Sequence, residues 1–564
     1  MNPMRLLRLP ALLALLAGVI VLGWWLPNRP QNPDPDVVIG KFDSLSYGGY
    51  RPGESPLTDR FATAAEVDQD MALLAPRTRA IRTYASIEGP YDVPALAQKH
   101  GLKLWQGIWL GGDRAKNALE MARAIDLAHR YPDTIERVVA GNEVLLRRDL
   151  PVDELIADID HVRAAIKQPV AYADVSDFWD QFPQVAPHVD VVLIHLLPYW
   201  EDVPTGIGHA VASFGPIYDH FAKLFPHQKV AIGETGWPSR GRQRRDAVPG
   251  RINEARFLRD FIALSQAKHF DYNFIEAFDQ DWKYESEGIV GANWGIFTAE
   301  RAVKIPPSGP LREDPRWARH AGLSVLLGLG LAGLALAGRP ARPALAGCVA
   351  LALGAALGIA YADAAPVLYD AHVVLAAAVN LLGQALLAAL MMARLGGFVQ
   401  AAPGRTGADA TRRVLDLLRL RFPKGPGLLE DLCFLFAWTA AVLQILLVFD
   451  PRYREFPTPS FAVPLVVLAV RAALGDFHAV RRTREDILVA ATLTLGALAS
   501  AIEEGPLNGQ SLLWNACALA LAVPIGLGLT GLGWGGGRLG ALPPDPHQGV
   551  APWTADFWKA RSRP

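Results

Sequence analysis

Two periodicities divide the chain. Through 37–300, short runs rich in β-branched and aromatic residues alternate with stretches whose apolar positions recur every three or four residues. The first pattern predicts strands and the second amphipathic helices. The runs are VVIGKF from Val37, AIRTYA from Ala80, LKLWQGIWL from Leu102, RVVAGNE from Arg137, PVAYAD from Pro169, VDVVLIHLLPYW from Val189, KVAIGETGW from Lys229 and YNFIEAF from Tyr272. Helical stretches such as 114–130, 152–166 and 251–266 separate them. Eight strand–helix alternations predict an α/β fold, a (β/α)8 TIM barrel. An open doubly wound sheet would need a phosphate loop after its first strand, and none is visible there.

Long apolar runs replace this pattern at the two flanks. One covers 6–26, opened by Arg5 and Arg8 and closed by Trp24 and Trp25. It has the length of a membrane span and no small-residue cleavage site, so it reads as an uncleaved anchor rather than a signal peptide. Others lie near 319–337, 344–361, 371–393, 430–449, 460–475, 486–501 and 510–533. The expected organisation is an N-terminal transmembrane anchor over 1–27, a barrel over 28–303, a Pro-rich linker over 304–317, a seven-helix transmembrane region over 318–535 and a cytoplasmic tail over 536–564. Basic residues orient it. Arg339, Arg342, Arg394, Arg405, Arg412, Arg413, Arg481, Arg482, Arg538 and Lys559 fall in segments that alternation puts inside. The short outside loops carry only Arg452 and Arg454. The barrel is therefore expected outside the cytoplasm, in a periplasmic or extracellular compartment.

Composition narrows the function. Charged residues make up 20%, below the roughly 25% of soluble domains, and the mean hydropathy is +0.17. A net charge of −1 gives no reason to expect nucleic-acid binding. The three cysteines, Cys348, Cys433 and Cys517, all lie in apolar runs, with no CxxC pair or metal-type cluster. No metal and no cofactor is expected. GxGxxG occurs at 328–333 and 526–531, but inside membrane runs, where small residues let helices approach closely. His372, Asn380, Gln384, Gln444, Arg471 and Asn515 are polar positions in these runs, expected to hydrogen-bond between helices.

In a barrel of this kind chemistry sits at the C-terminal ends of the strands. The fourth run ends in Gly141-Asn142-Glu143 and the seventh in Gly233-Glu234-Thr235-Gly236. Two carboxylates facing one cleft are the machinery of glycoside hydrolysis, one protonated to donate and one ionised to attack. Glu143 and Glu234 are the candidate pair. Aromatic residues follow other strands: Tyr84, Trp109, Tyr199, Trp200, Trp237, Phe278, Trp282 and Trp294. They would either stack on the apolar faces of sugars or simply pack the barrel top. Arg82, Asn142, Asp279, Gln280 and Lys283 are candidates for hydrogen bonds to hydroxyls.

These residues carry a resemblance. Gly-Asn-Glu (141–143) is similar to the acid/base motif of glycoside hydrolase family 17, and GETGWPS (233–239) to its nucleophile motif. SYGGYRPGESP (46–56), IRTY (81–84), LLPYWE (196–201), EAFDQDWK (276–283) and EGIVGANWGIF (287–297) resemble its bacterial branch. The resemblance implies a retaining enzyme with Glu143 as acid/base and Glu234 as nucleophile, Asn142 contacting the 2-hydroxyl and Tyr199 holding the nucleophile. It also implies a β-1,3-glucan substrate. Membrane-anchored relatives resemble β-(1,6)-glucan synthases, so a glucan-remodelling transglycosylase is expected first and a β-1,3-glucan hydrolase second. A non-catalytic glucan-binding or transport component is the third reading. No QxxRW motif occurs, so nucleotide-sugar chemistry would fall to a separate glucan synthase. The expected partners are β-glucan, membrane lipid and that synthase.

Overall fold

The computed structural model describes residues 3–528 apart from 34, 36–38, 401, 403–404, 422–425 and 476–480. Its centre is a closed barrel of eight parallel strands in sequence order. They are β1 Phe42–Ser46, β2 Thr78–Arg82, β3 Lys103–Ile108, β4 Ile135–Asn142, β5 Val170–Val175, β6 Val191–Leu196, β7 Lys229–Thr235 and β8 Tyr272–Phe274. The expected TIM barrel is the observed fold. Its first strand is displaced, however. The run from Val37 gives way to Phe42–Ser46, because β1 must place Ser44 and Leu45 opposite Ala80 and Ile81 of β2.

Alternation sorts the strand residues into two cores. Ala80, Trp105, Val139, Ala171, Ala173, Val191, Leu193 and Ala231 fill the barrel interior, small side chains around one indole. The intervening positions, among them Leu104, Ile108, Val192, Ile194 and Ile232, pack outward on the helices. The segment expected to be a linker lies against this barrel. Lys304 is buried against Asp279 at 2.7 Å and Glu254 at 3.4 Å. Glu313 accepts from the backbone N–H groups of Arg251 and Ile252, at the start of helix Arg251–Lys268.

Among the described residues, seven helices are long and apolar enough to cross a membrane: Arg8–Trp25 within Pro3–Trp25, then Trp317–Ala337, Pro343–Val367, Ala371–Leu395, Leu428–Phe449, Arg484–Glu504 and Gly509–Gly526. The run expected near 460–475 forms a shorter helix, Ala462–Ala473, after a 3-10 turn at Thr458–Phe461. An amphipathic helix the apolar runs do not announce covers Gly407–Leu418. Helix Pro3–Trp25 packs on its neighbours, with Trp24 Nε1 donating to Ser324 Oγ at 3.1 Å. Gly328 is buried where Trp317–Ala337 meets Pro343–Ala364, but Gly330 and Gly333 of the same motif are exposed, so the close-approach reading holds for Gly328 alone. The second GxGxxG runs past 528, and the expected tail at 536–564, with Arg538 and Lys559, lies outside the described residues.

Asn380, Gln384 and Gln444 hydrogen-bond within the helical region. Gln384 Nε2 donates to Asn380 Oδ1 at 2.8 Å and its Oε1 accepts from Val463 N at 3.1 Å. Trp514 Nε1 donates to Gln444 Oε1 at 2.6 Å. His372 is exposed beside Asp370.

Candidate active site

Both acidic motifs sit where a strand leaves regular pairing. The β4–β5 register shifts between Val139 and Asn142, and the β6–β7 register between Ile194 and His195. Such irregularities re-aim the side chains that follow. In β7 the shift puts Glu234 opposite His195, an inward position. Gly233 makes this possible, since a Cβ there would lie 2.9 Å from His195 Cδ2. In β4 the chain turns so that Glu143 itself adopts a left-handed φ of 52°. That conformation costs a non-glycine residue roughly 1–2 kcal/mol. Hydrogen bonds hold it: Glu143 N donates to Ala173 O and Arg147 N to Glu143 O, both at 2.8 Å.

The two glutamates meet at a histidine. His195 Nδ1 lies 2.9 Å from Glu143 Oε1, and its Nε2 lies 3.7 Å from Glu234 Oε1. One donor atom from each of the three lies within 4.8 Å of the others. His195 is fully buried, and its Nε2 has no hydrogen-bond partner among the described residues. Arg82 closes the floor. Its Nη1 donates to Gly233 O at 2.7 Å and to Glu234 Oε1 at 3.2 Å, and its Nη2 donates to Asn142 Oδ1. The three donor atoms are close enough to share a cation, but Arg82 already supplies positive charge there.

Charge around the pair is uneven. Burial pushes the Glu143 carboxyl up, but the hydrogen bond and charge of His195, with Arg147 and Arg82, outweigh it and hold the group below its usual range. Glu276, at the end of β8, is pushed up to about 7 by burial, against the pull of Lys283. Glu287 is raised by burial and by both Glu143 and Glu234. Burial and the nearby Glu234 keep the Tyr84 phenol protonated, and its hydroxyl lies 2.8 Å from Ser46 Oγ.

The other expected residues divide. Trp109 is 43% exposed, with the Arg147 guanidinium 4.3 Å from its ring centre, and Tyr84 is half-buried with Arg82 4.9 Å from its ring centre. Trp282 donates to Gln280 Oε1 at 2.9 Å and meets Tyr50 edge-on. Lys283 is paired with Glu276 at 2.9 Å. Trp200 and Trp294 stack at 6.2 Å, Trp200 half-buried and Trp294 buried.

Three expectations are corrected. Tyr199 does not hold Glu234; it is fully buried and its hydroxyl donates to Arg242 O at 2.6 Å. Trp237 offers no stacking face, because it is buried against Phe257 and Tyr199 and its Nε1 donates to Val248 O. Phe278 is likewise buried, beneath Arg301 and Phe297. Asp279 and Gln280 are also spoken for, by Lys304 and by Gly48 O. His195, Glu276 and Glu287 were not singled out by sequence. For His195 a signal existed: it is the one polar residue in the apolar run VVLIHLL, and a buried imidazole needs a partner.

The family model for the BtgE/BtgC glycoside hydrolase domain matches residues 44–295. A glucan 1,3-β-glucosidase of Schizosaccharomyces pombe is 31% identical over 255 residues, covering 42% of this chain and 78% of that one. The chain belongs to the BtgE/BtgC glycoside hydrolase family. A glucan 1,3-β-glucosidase of Candida albicans is 26% identical over 261 residues, 42% of this chain and 83% of its own. Among solved structures, the β-1,3-glucanosyltransferase of Rhizomucor miehei is 24% identical, with a TM-score of 0.42 over 48% of this chain and 98% of that one. As a member of this family the barrel is an enzyme domain for glycosidic bonds, and the matched region contains both Glu143 and Glu234.

Proposed function

We propose that this glycoside hydrolase is a membrane-bound, retaining β-1,3-glucan transglycosylase. The observation that carries the reading is the closeness of the two carboxylates, with oxygens within 4.8 Å. Retaining enzymes hold the two groups about 5–5.5 Å apart, whereas inverting ones leave roughly 6.5–9.5 Å for a water. Glu143 donates its proton to the bridging oxygen as the C1–O bond breaks, and Glu234 attacks C1 to form a glycosyl ester. Glu143, now a carboxylate, takes the proton of the incoming hydroxyl as that oxygen attacks C1 and frees Glu234. His195 Nδ1, 2.9 Å from Glu143 Oε1, orients the carboxyl that donates. Arg82 keeps Glu234 oriented, and Asn142, whose Oδ1 is engaged by Arg82, keeps its NH2 for a sugar hydroxyl.

Water and sugar compete for the ester. A sugar acceptor yields a longer or branched glucan, with a β-1,6 linkage when its primary hydroxyl attacks. The second reading, a hydrolase, draws on the relatives named glucan 1,3-β-glucosidase. The apolar helices support a place in the bacterial inner membrane, with the barrel in the periplasm. Product analysis of the full chain in detergent with laminari-oligosaccharides divides the readings. Products longer than the substrate at millimolar concentration are expected, and shorter products alone favour the hydrolase. Glu234→Gln should lower turnover by about 10³-fold or more and still bind glucan. Glu143→Gln should lose about 10²–10⁴-fold on glucan and regain part of it on a donor whose leaving group needs no acid. Near-normal turnover on glucan by either variant would remove the assignment.

A further inference from the structure

The C-terminal face of the barrel, where the glutamates open, is also the face that meets the membrane helices. The loop 450–457 joins Leu428–Phe449 to the 3-10 turn Thr458–Phe461 and reaches onto that face. Tyr453 meets Trp200 edge-on at 5.8 Å, and the Arg452 guanidinium lies 5.7 Å from the same indole. The loop is held there closely. Arg242 donates to the carbonyl oxygens of Pro451 and Arg454 and pairs with Glu504. At Gly288, whose φ is +69°, a Cβ would lie 2.2 Å from the Tyr453 carbonyl oxygen. Gly288 follows Glu287, which is coupled electrostatically to Glu143, Glu234 and Arg452. The loop therefore rests on the segment Tyr284–Gly291 that follows β8.

The exposure of these side chains is unusual for a mere interface. Tyr453 remains 39% exposed, Arg452 is exposed and Trp200 only half-buried, although the residues fastening the loop, Arg242 and Phe456, are buried. An aromatic pair with a guanidinium beside it, open to solvent and anchored from behind, has the chemistry of a sugar subsite. Rings take the C–H face of a pyranose and the guanidinium donates to its hydroxyls.

We infer that Tyr453 and Arg452, contributed by the membrane region, complete the substrate cleft with Trp200 and bind a β-glucan unit away from the bond that is broken. This rests on the β-glucan reading above. It makes the helices part of the enzyme's specificity rather than an anchor alone, and it runs the polymer along the seam between barrel and helices.

Full-length protein in detergent, assayed on laminari-oligosaccharides of increasing length, tests it. Tyr453→Ala and Arg452→Ala should each raise KM for long substrates several-fold, leave kcat within about twofold and leave the shortest cleavable substrate unaffected. Tyr453→Phe should restore the wild-type KM, which a loss of folding would not allow. The same KM at every length in both alanine variants would overturn the inference while leaving the β-glucan reading intact. If wild type neither turns over these substrates nor binds them as Glu234→Gln, that reading fails and the inference falls with it. An equal loss at all lengths, not rescued by Tyr453→Phe, would place the loop in structure alone.

Discussion

His195 carries more of the site's chemistry than its place inside an apolar strand suggests. It touches Glu143 directly and stands 3.7 Å from Glu234, with Arg82, Arg147, Asp174 and Glu287 among the other charged groups around the pair. Burial alone would raise Glu143; the histidine is the largest influence pulling it down. Removing the ring therefore raises the pKa of the acid. The base-side limb of the kcat/KM profile reports the group that must be protonated, so in His195→Phe that limb should move to higher pH. A limb that stays in place, or moves down, would show that another group sets it. Total turnover should fall as well, because Glu143 loses the partner that orients it.

At the level of elements, the two strand irregularities decide what the cleft contains. Gly233 lets β6 and β7 approach until His195 and Glu234 share one level. Gly233→Ala should push the imidazole away and cost about 10²-fold in kcat, the scale on which a displacement near 1 Å acts. Circular dichroism of the full chain should remain that of wild type. Turnover at the wild-type rate would mean that the close approach is not needed. Seven of the eight strands were legible because periodicity marks buried strands, and the two carboxylates because Gly-Asn-Glu and GETGWPS close two of them. Which aromatics line the cleft was not legible. Trp237, Tyr199 and Phe278 follow strands just as Trp200 and Trp109 do, and only the packing separates a buried ring from an open one. β1 was misplaced for a related reason: VVIGKF has the better β composition, but pairing with β2 is satisfied by FDSLS. The helix Gly407–Leu418 is short and polar on one face, so no apolar run betrays it.

For the whole molecule, the hydrogen bonds between barrel and helices among the described residues come from the ends that basic-residue counting puts outside. Tyr369 accepts from Asn293, Asn508 donates to Gln243 O at 2.9 Å, and Glu504 pairs with Arg242. Reporters fused after Leu150 and Glu504 should accordingly read as outside, and one after Arg413 as inside; a cytoplasmic signal at Leu150 would contradict the arrangement. The Arg242–Glu504 pair then says how firmly the two parts are joined. Both side chains are almost buried, so each has given up water. Removing one partner leaves the other charge buried and alone, which costs about 3–5 kcal/mol, whereas replacing both by apolar groups is often neutral. Glu504→Ala should thus lower the thermal midpoint by several degrees, and Arg242→Met combined with Glu504→Leu should recover part of it. Arg242 also holds the carbonyls of Pro451 and Arg454, so recovery should be incomplete. A Glu504→Ala protein that melts with wild type would mean that the pair is open to solvent in the membrane, and that the loop carrying Arg452 and Tyr453 is fastened by its other contacts alone.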